Sequence, residues 1–421
     1  MESALKSLRS QAPIILMGGL AAFGTYFCMY AFRKPYTATS FEGLEGFAGL
    51  DFKIALVISL VLGYALSKFI GIKLISELKA KARIFMLIGL VAVAELALVG
   101  FGFVGDHWSA FMFLFLNGLP LGMVWGILFS YLEGRQTSEL LGAILCSSFI
   151  VSSGAVKSVG LWLMLQFDVS AFWMPAATGA LFFIPLVCFA FMLEKVPPPT
   201  PEDIALRTER KPMNNRDRID LLKTVGLGIV GIIVYFIIIT AFRDFRDNFA
   251  FELWSALGYG DAPAIFTLAE IPIAILALST MVFGFFIKDS QKALSYYHIL
   301  IFAATLLILL STFAFSSGWL DGAVWMVAVG AGLYLAYVPL NAIYFDRLIA
   351  AFRHVATAGF LIYLADASGY AGSVGILLIK NFGNLELSWL EFFRNFSYLV
   401  GVLGLVAIGS SWWLFGRRLK N

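Results

Sequence analysis

Charge is scarce in this chain of 421 residues: Asp, Glu, Lys and Arg together make up 14% of it, where a soluble domain typically carries about 25%. Hydrophobic residues reach 60%. So little charge over so much apolar sequence excludes a soluble globular domain and places the chain in a lipid bilayer. Cysteine is rare too. Cys28, Cys146 and Cys188 all sit inside apolar runs, which excludes a disulfide framework and leaves no metal-ligand spacing. His107, His298 and His354 fall at the edges of apolar runs and form no constellation. No G-x-x-x-x-G-K-[ST] loop is present, so nucleotide is not expected as the energy source. Neither H-E-x-x-H nor G-x-S-x-G occurs, so no hydrolytic centre is expected. The basic residues are spread over short loops and form no nucleic-acid patch. The chain is therefore expected to be no enzyme, to hold no cofactor or metal, and to have no nucleic-acid partner. The first apolar run is too long for a signal peptide and lacks a small-residue cleavage site, so it is expected to stay in the mature protein.

What is present is a series of apolar runs of about 20 residues, each long enough to span a bilayer as a helix. They lie at 12–33, 53–74, 84–105, 108–132, 138–165 and 171–193, then at 221–245, 262–287, 293–315, 321–345, 356–380 and 393–416. The expected fold class is an all-α polytopic membrane protein of about twelve transmembrane helices, in two pseudo-symmetric six-helix bundles. The bundles take residues 1–193 and 221–421. Residues 194–220 join them as a connector with Pro197, Pro198, Pro199, Pro201 and many charges. Lys and Arg are distributed unevenly between the two sides of these spans. Twenty-one fall at the termini, the connector and the loops on its side; seven fall on the other (Arg33, Lys34, Lys53, Arg243, Arg246, Lys380 and Arg394). By the positive-inside rule, both termini and the connector are expected in the cytoplasm of a multi-pass cell-membrane protein, the inner membrane if the source is bacterial.

The two halves echo each other. Ala31-Phe32-Arg33 closes the first apolar run, and Ala241-Phe242-Arg243 closes the seventh. Tyr26, Tyr30 and Arg33 stand at i, i+4 and i+7 and share one helix face. An arginine inside a span costs roughly 2.5–3.5 kcal/mol on insertion scales, so two at matching places point to a central anion site. Lys68 lies mid-span with Tyr64 at i−4; a cavity-facing position is expected, with snorkelling to an interface as the alternative. Lys157 shares a face with Ser153 and suits a cavity or a structural role equally. Arg243 has Asp244 beside it and Asp247 at i+4, so an internal ion pair is its alternative to solute binding. Glu270 and Asp366 are intramembrane acids able to carry a proton or balance a cation, and Asp247 is a third candidate. Tyr337 and its neighbours Tyr334, Asn341 and Tyr344 could line a cavity or merely pack.

Several stretches resemble the organophosphate:phosphate antiporters of the major facilitator superfamily, of which bacterial glycerol-3-phosphate and hexose-6-phosphate transporters are members. Tyr30-Ala31-Phe32-Arg33-Lys34, Tyr64-Ala65-Leu66-Ser67-Lys68-Phe69-Ile70 and Asn117-Gly118-Leu119-Pro120-Leu121-Gly122-Met123 look like that family's first, second and fourth helices. Ala356-Thr357-Ala358-Gly359-Phe360 and Gly369-Tyr370-Ala371-Gly372-Ser373 look like the start of its eleventh. The resemblance implies alternating access and phosphate held by Arg33, Arg243 (or Arg246 in its place) and Lys68. Where the family carries a histidine in its fifth helix this chain has Phe149, with Ser147, Ser148 and Lys157 nearby.

The expected function is secondary transport of a small anionic solute by a monomer that works by alternating access. The solute would be held by Arg33, Arg243, Lys68, Tyr26, Tyr30, Tyr64, Lys157 and Tyr337. The alternative is a transporter-like membrane sensor that binds ligand and signals without moving it.

Overall fold

A computed structural model describes residues 2–76, 78, 80–132, 135, 137–200, 203, 215–352, 359–383 and 387–420. Most of the central connector, part of the basic hairpin after the second span and Ala356-Thr357-Ala358 lie outside the described residues. Among the described residues twelve helices are long and apolar enough to cross a membrane, and we label them α1 to α12. They are α1 (Glu2–Met29), α2 (Phe52–Ser76), α3 (Arg83–Val104), α4 (Ser109–Leu132), α5 (Ser138–Phe167), α6 (Met174–Glu194), α7 (Gly228–Asn248), α8 (Ala264–Phe285), α9 (Ser290–Ser316), α10 (Gly322–Ala342), α11 (Gly359–Phe382) and α12 (Trp389–Lys420). Only helices and closed barrels satisfy every backbone group within hydrocarbon, and no strand occurs among the described residues. Phe85, Phe103 and Ile184 are more than 70% exposed, as side chains facing lipid would be.

The seventh apolar run of the sequence (221–245) is divided. Asn215–Val225 forms a separate short helix, and the chain turns at Gly226, whose φ of +73° lies in the left-handed region. A side chain there would be strained, and hydropathy does not register such a turn.

The chain forms two compact units. The first comprises Met1–Ala205 together with Asp247–Ile271 and Leu377–Trp389. Within it α2 and α4 approach closely because glycine replaces bulk at the crossing: a Cβ on Gly63 would meet Phe115 O at 2.2 Å, and one on Gly118 would meet Leu60 O at 2.3 Å. Close approach through small residues is how helices gain packing energy in lipid, where tails compete for apolar contact. The buried Asn117 side chain donates to Phe32 O and Ala94 O, each at 2.9 Å, tying α4 to the end of the first helix and to α3. Asp247–Ile271 joins this unit through Ser158 Oγ, which donates to Pro263 O (2.6 Å) and lies 2.7 Å from Thr267 Oγ1. Leu377–Trp389 joins it through Asn381, which accepts from Asp51 N (2.9 Å) and donates to Gly49 O (2.8 Å).

The second unit comprises Leu206–Arg246, Pro272–Ile376 and Leu390–Asn421. Tyr235 of α7 shares a 2.7 Å hydrogen bond with Thr305 of α9, and Ser411 of α12 donates to Gly228 O at 2.9 Å. Phe242 stacks on Phe393 with centroids 5.0 Å apart. These contacts tie α7 to α9 and α12.

Candidate functional site

The end of α1 sets the first half of the site. Pro35 has no N–H to continue the helical ladder, and α1 tightens into a 3-10 turn over Tyr30–Phe32. The N–H groups of Arg33 and Lys34 both donate to Tyr30 O, at 3.0 and 2.9 Å. This tight turn sends the two cationic side chains inward. Arg33 lies with its guanidinium 4.0 Å from the centre of the Tyr64 ring on α2 and 5.9 Å from that of Tyr30. Tyr26 packs edge-on against Tyr30 at 5.5 Å and against Trp125 of α4 at 5.1 Å. Lys68, one turn beyond Tyr64, places its ammonium 5.7 Å from the same ring. Five of the sequence-selected residues are thus brought together: Tyr26, Tyr30, Arg33, Tyr64 and Lys68. Trp125 joins them without having been singled out, since an aromatic residue in an apolar helix carries no local signal of its role.

The second unit holds a parallel arrangement. Arg243 lies 4.2 Å from the centre of the Tyr337 ring on α10. Its Nε and Nη2 also donate to Asp244 Oδ1, at 3.0 and 2.6 Å, and Ser373 of α11 donates to Asp244 Oδ2 at 2.6 Å. Of the two acids open to Arg243 by sequence, the structure pairs it with Asp244. Arg246, the alternate to Arg243, is buried and donates to Met326 O at 3.2 Å. In both units the guanidinium carbon lies over a tyrosine ring, and the N–H edge of a guanidinium is what grips an oxyanion in the plane.

Asp247 and Lys157 are placed together, in the first unit. Lys157 Nζ lies 2.5 Å from Asp247 Oδ1, and Lys34 Nζ lies 2.5 Å from Oδ2. Ser153 donates to the same carboxylate. Lys53, at the start of α2, makes a 2.5 Å ion pair with Glu252, which follows α7 in the short helix Ala250–Ala256. Burial pushes the Glu252 carboxyl above its usual range, and the Lys53 ammonium opposes that shift. Lys34, Lys53 and Glu252 were not selected by sequence; the only available signal was their position at span ends. Glu270 of α8 lies against α5, where a Cβ on Gly154 would meet its Cγ at 3.1 Å. Asp366 is half-buried on α11. Among the described residues no cluster of His, Cys, Asp or Glu could hold a metal ion.

Twelve spanning helices with this order and packing define a class: the protein has the fold of the major facilitator superfamily transporters. By sequence the chain belongs to DUF5690, a family of unknown function whose model matches residues 35–418. No curated protein matches the sequence. Among solved structures, a D-xylose–proton symporter is 14% identical, with a TM-score of 0.62 over 95% of this chain and 96% of its own. The nucleoside transporter NupG is 15% identical, with a TM-score of 0.60 over 97% of this chain and 99% of its own. A bacterial homologue of the human lysosomal transporter Spinster is 13% identical, with a TM-score of 0.61 over 97% and 98%.

Proposed function

We propose that this protein is a secondary transporter of a small anionic solute, with a phosphorylated metabolite as the favoured class. The observation that carries the reading is the recurrence, in both units, of an arginine near a helix end seated on a tyrosine face, Arg33 on Tyr64 and Arg243 on Tyr337. A membrane protein keeps such costly groups only where they are used, and the planar guanidinium matches carboxylate and phosphate oxygens in a two-pronged way that an ammonium does not. Lys68, Tyr26 and Tyr30 complete the recognition set on the Arg33 side. Asp244, held by Ser373, is the internal anion that occupies Arg243 when no solute does.

The experiment is counterflow and net uptake of radiolabelled phosphorylated and carboxylated metabolites in proteoliposomes, with and without a pH gradient. Flux of a phosphorylated solute supports the reading. Saturable binding with no flux of any solute overturns it in favour of a sensor. In the same vesicles Glu270→Gln or Asp366→Asn is expected to slow net uptake more than counterflow, because an acid that balances the empty site matters only when the carrier returns unloaded. Equal loss of both fluxes in each variant would remove these acids from the return step.

We also propose that both termini and the connector are cytoplasmic, from the distribution of Lys and Arg. A single cysteine placed at Asn214, in a protein lacking Cys28, Cys146 and Cys188, is expected to resist an impermeant thiol reagent added to intact cells. Labelling there would reverse the topology.

A further inference from the structure

A groove of about 410 Å³ lies between α7 and α12 in the second unit. Small residues make its floor. A Cβ on Gly231 would meet Ala407 O at 2.7 Å, so the two helices come close there, and Ser411 adds its 2.9 Å hydrogen bond to Gly228 O. Larger side chains make its walls, Leu227 and Val230 on α7 and Leu403 and Val406 on α12. All four are exposed. The lining runs eleven residues along each helix, from Leu227 to Ile238 and from Leu403 to Leu414, or about 16 Å at 1.5 Å per residue. A hydrocarbon core is about 30 Å thick, so one leaflet is about half of that. The groove therefore has the length of one leaflet. That suits an acyl chain and is only half of what a partner's spanning helix would cover.

One end of the groove carries cationic donors. Leu414, its last lining residue on α12, has Arg417 at i+3 and Arg418 at i+4, so helical spacing puts both arginines beside the groove face. Arg418 is anchored: its Nη1 donates to Lys223 O and Thr224 O, at 2.5 and 2.6 Å. The turn at Gly226 makes room for it, since a Cβ there would lie 2.5 Å from the guanidinium carbon. Nη1 carries both of these bonds, and Nε and Nη2 remain as donors. Arg417 places its guanidinium carbon 4.1 Å from the centre of the Trp413 ring. Trp413 is exposed, and an exposed tryptophan at a span end marks the level of the head groups. Lys223 is exposed on the short helix Asn215–Val225, as is Asp220 on the same helix. We propose that this groove binds one acidic phospholipid, with an acyl chain lying along α7 and α12 and the phosphate held by Arg418 and Arg417. A head group with its own ammonium would bring another cation against these arginines and Lys223, so a net-negative lipid is preferred. The inference concerns the lipid and not the solute, and it does not depend on the transport reading.

The test is native mass spectrometry of the purified full-length protein, released from detergent after incubation with phosphatidylglycerol and phosphatidylcholine of the same acyl chains. One phosphatidylglycerol per chain is expected to stay bound, at a lipid concentration at least about tenfold below the one phosphatidylcholine needs, the effect of one charge-assisted hydrogen bond. Arg417→Gln and Arg418→Gln are each expected to remove that preference. Arg418→Gln also loses the bonds to Lys223 O and Thr224 O, so Arg417→Gln decides if that variant does not fold. Ser410 lines the groove and is exposed. Ser410→Phe fills the groove without touching a cation, and is expected to lower retention of both lipids about tenfold or more. Glycerol phosphate, a head group without chains, is expected not to displace the lipid even in large excess. Equal retention of the two lipids overturns the proposal, as does a preference unchanged in Arg417→Gln. Retention by Ser410→Phe equal to wild type, or displacement by glycerol phosphate, takes the acyl chain out of the groove and overturns it too. A lipid-free dimer that Ser410→Phe disperses would give the groove to a second copy of the chain instead.

Discussion

Replacing Arg33 with lysine is expected to weaken solute binding by about tenfold or more while leaving the protein folded. Lysine keeps the charge and most of the length, so the electrostatic environment at the end of α1 is preserved. What it loses is the planar fork that donates two parallel hydrogen bonds, and the guanidinium whose carbon lies 4.0 Å from the centre of the Tyr64 ring. One charge-assisted hydrogen bond contributes about 1.5–3 kcal/mol, and 1.4 kcal/mol is a factor of ten. Binding measured by thermal shift and flux measured in proteoliposomes should fall together. Unchanged binding and flux in Arg33→Lys would remove Arg33 from the recognition set. Arg243→Lys should behave alike. If Arg243 instead serves only its ion pair, Arg243→Ala will misfold, and neutralising Asp244 in the same chain will restore folding. The structure names Asp244 for that rescue, since Asp247 is committed to Lys34 and Lys157.

Lys53→Met is expected to be the most destabilising single change in the first unit. Lys53 is 1% exposed and Glu252 7%. Removing one member of such a pair leaves a bare charge in the interior, which typically costs about 3–5 kcal/mol. Glu252 Oε2 is buried without a hydrogen-bond partner, and Lys53 is the cation paired with this carboxylate. Lys53→Met combined with Glu252→Met should recover most of the stability, because a matched apolar pair carries no desolvation cost. The sign of the pH dependence follows from Glu252. Its folded pKa lies above the ordinary value, so the stability this group contributes is present below the unfolded pKa and is lost as pH rises through the folded one. Lys53 opposes that rise, and its removal lets the pKa climb further. The deficit of Lys53→Met should therefore be smaller at acidic than at alkaline pH. Chemical denaturation of the two single variants and the double variant on both sides reads it. A deficit that does not change with pH, or a double variant as unstable as Lys53→Met, would show that the pair is not what Lys53 supports.

The spans and the polar stripe of Tyr26, Tyr30 and Arg33 were legible in the sequence because each is a local property. Twenty apolar residues are long enough to span a bilayer wherever they occur, and a helical repeat fixes which residues share a face. The same locality explains the misplaced start of the seventh span, where one glycine at positive φ breaks an apolar run without changing its hydropathy. Trp125, Lys34, Lys53 and Glu252 could not be read in this way. Their roles depend on partners 199 residues apart for Lys53 and Glu252 and 214 apart for Lys34 and Asn248, and only packing brings these together. Asp247 shows the difference most directly. Helical spacing offers it Arg243 at i−4, a pairing of a few tenths of a kcal/mol on an exposed face. The folded first unit instead supplies two buried ammoniums, and a carboxylate out of water goes to the cations that are themselves out of water, because there each unpaired charge costs most. The sequence by itself determined where apolar runs long enough to span a bilayer fall and which charged residues interrupt or flank them; which charges are buried and which of them meet was decided by tertiary structure, since the energy of a buried pair depends on depth and distance and not on order along the chain.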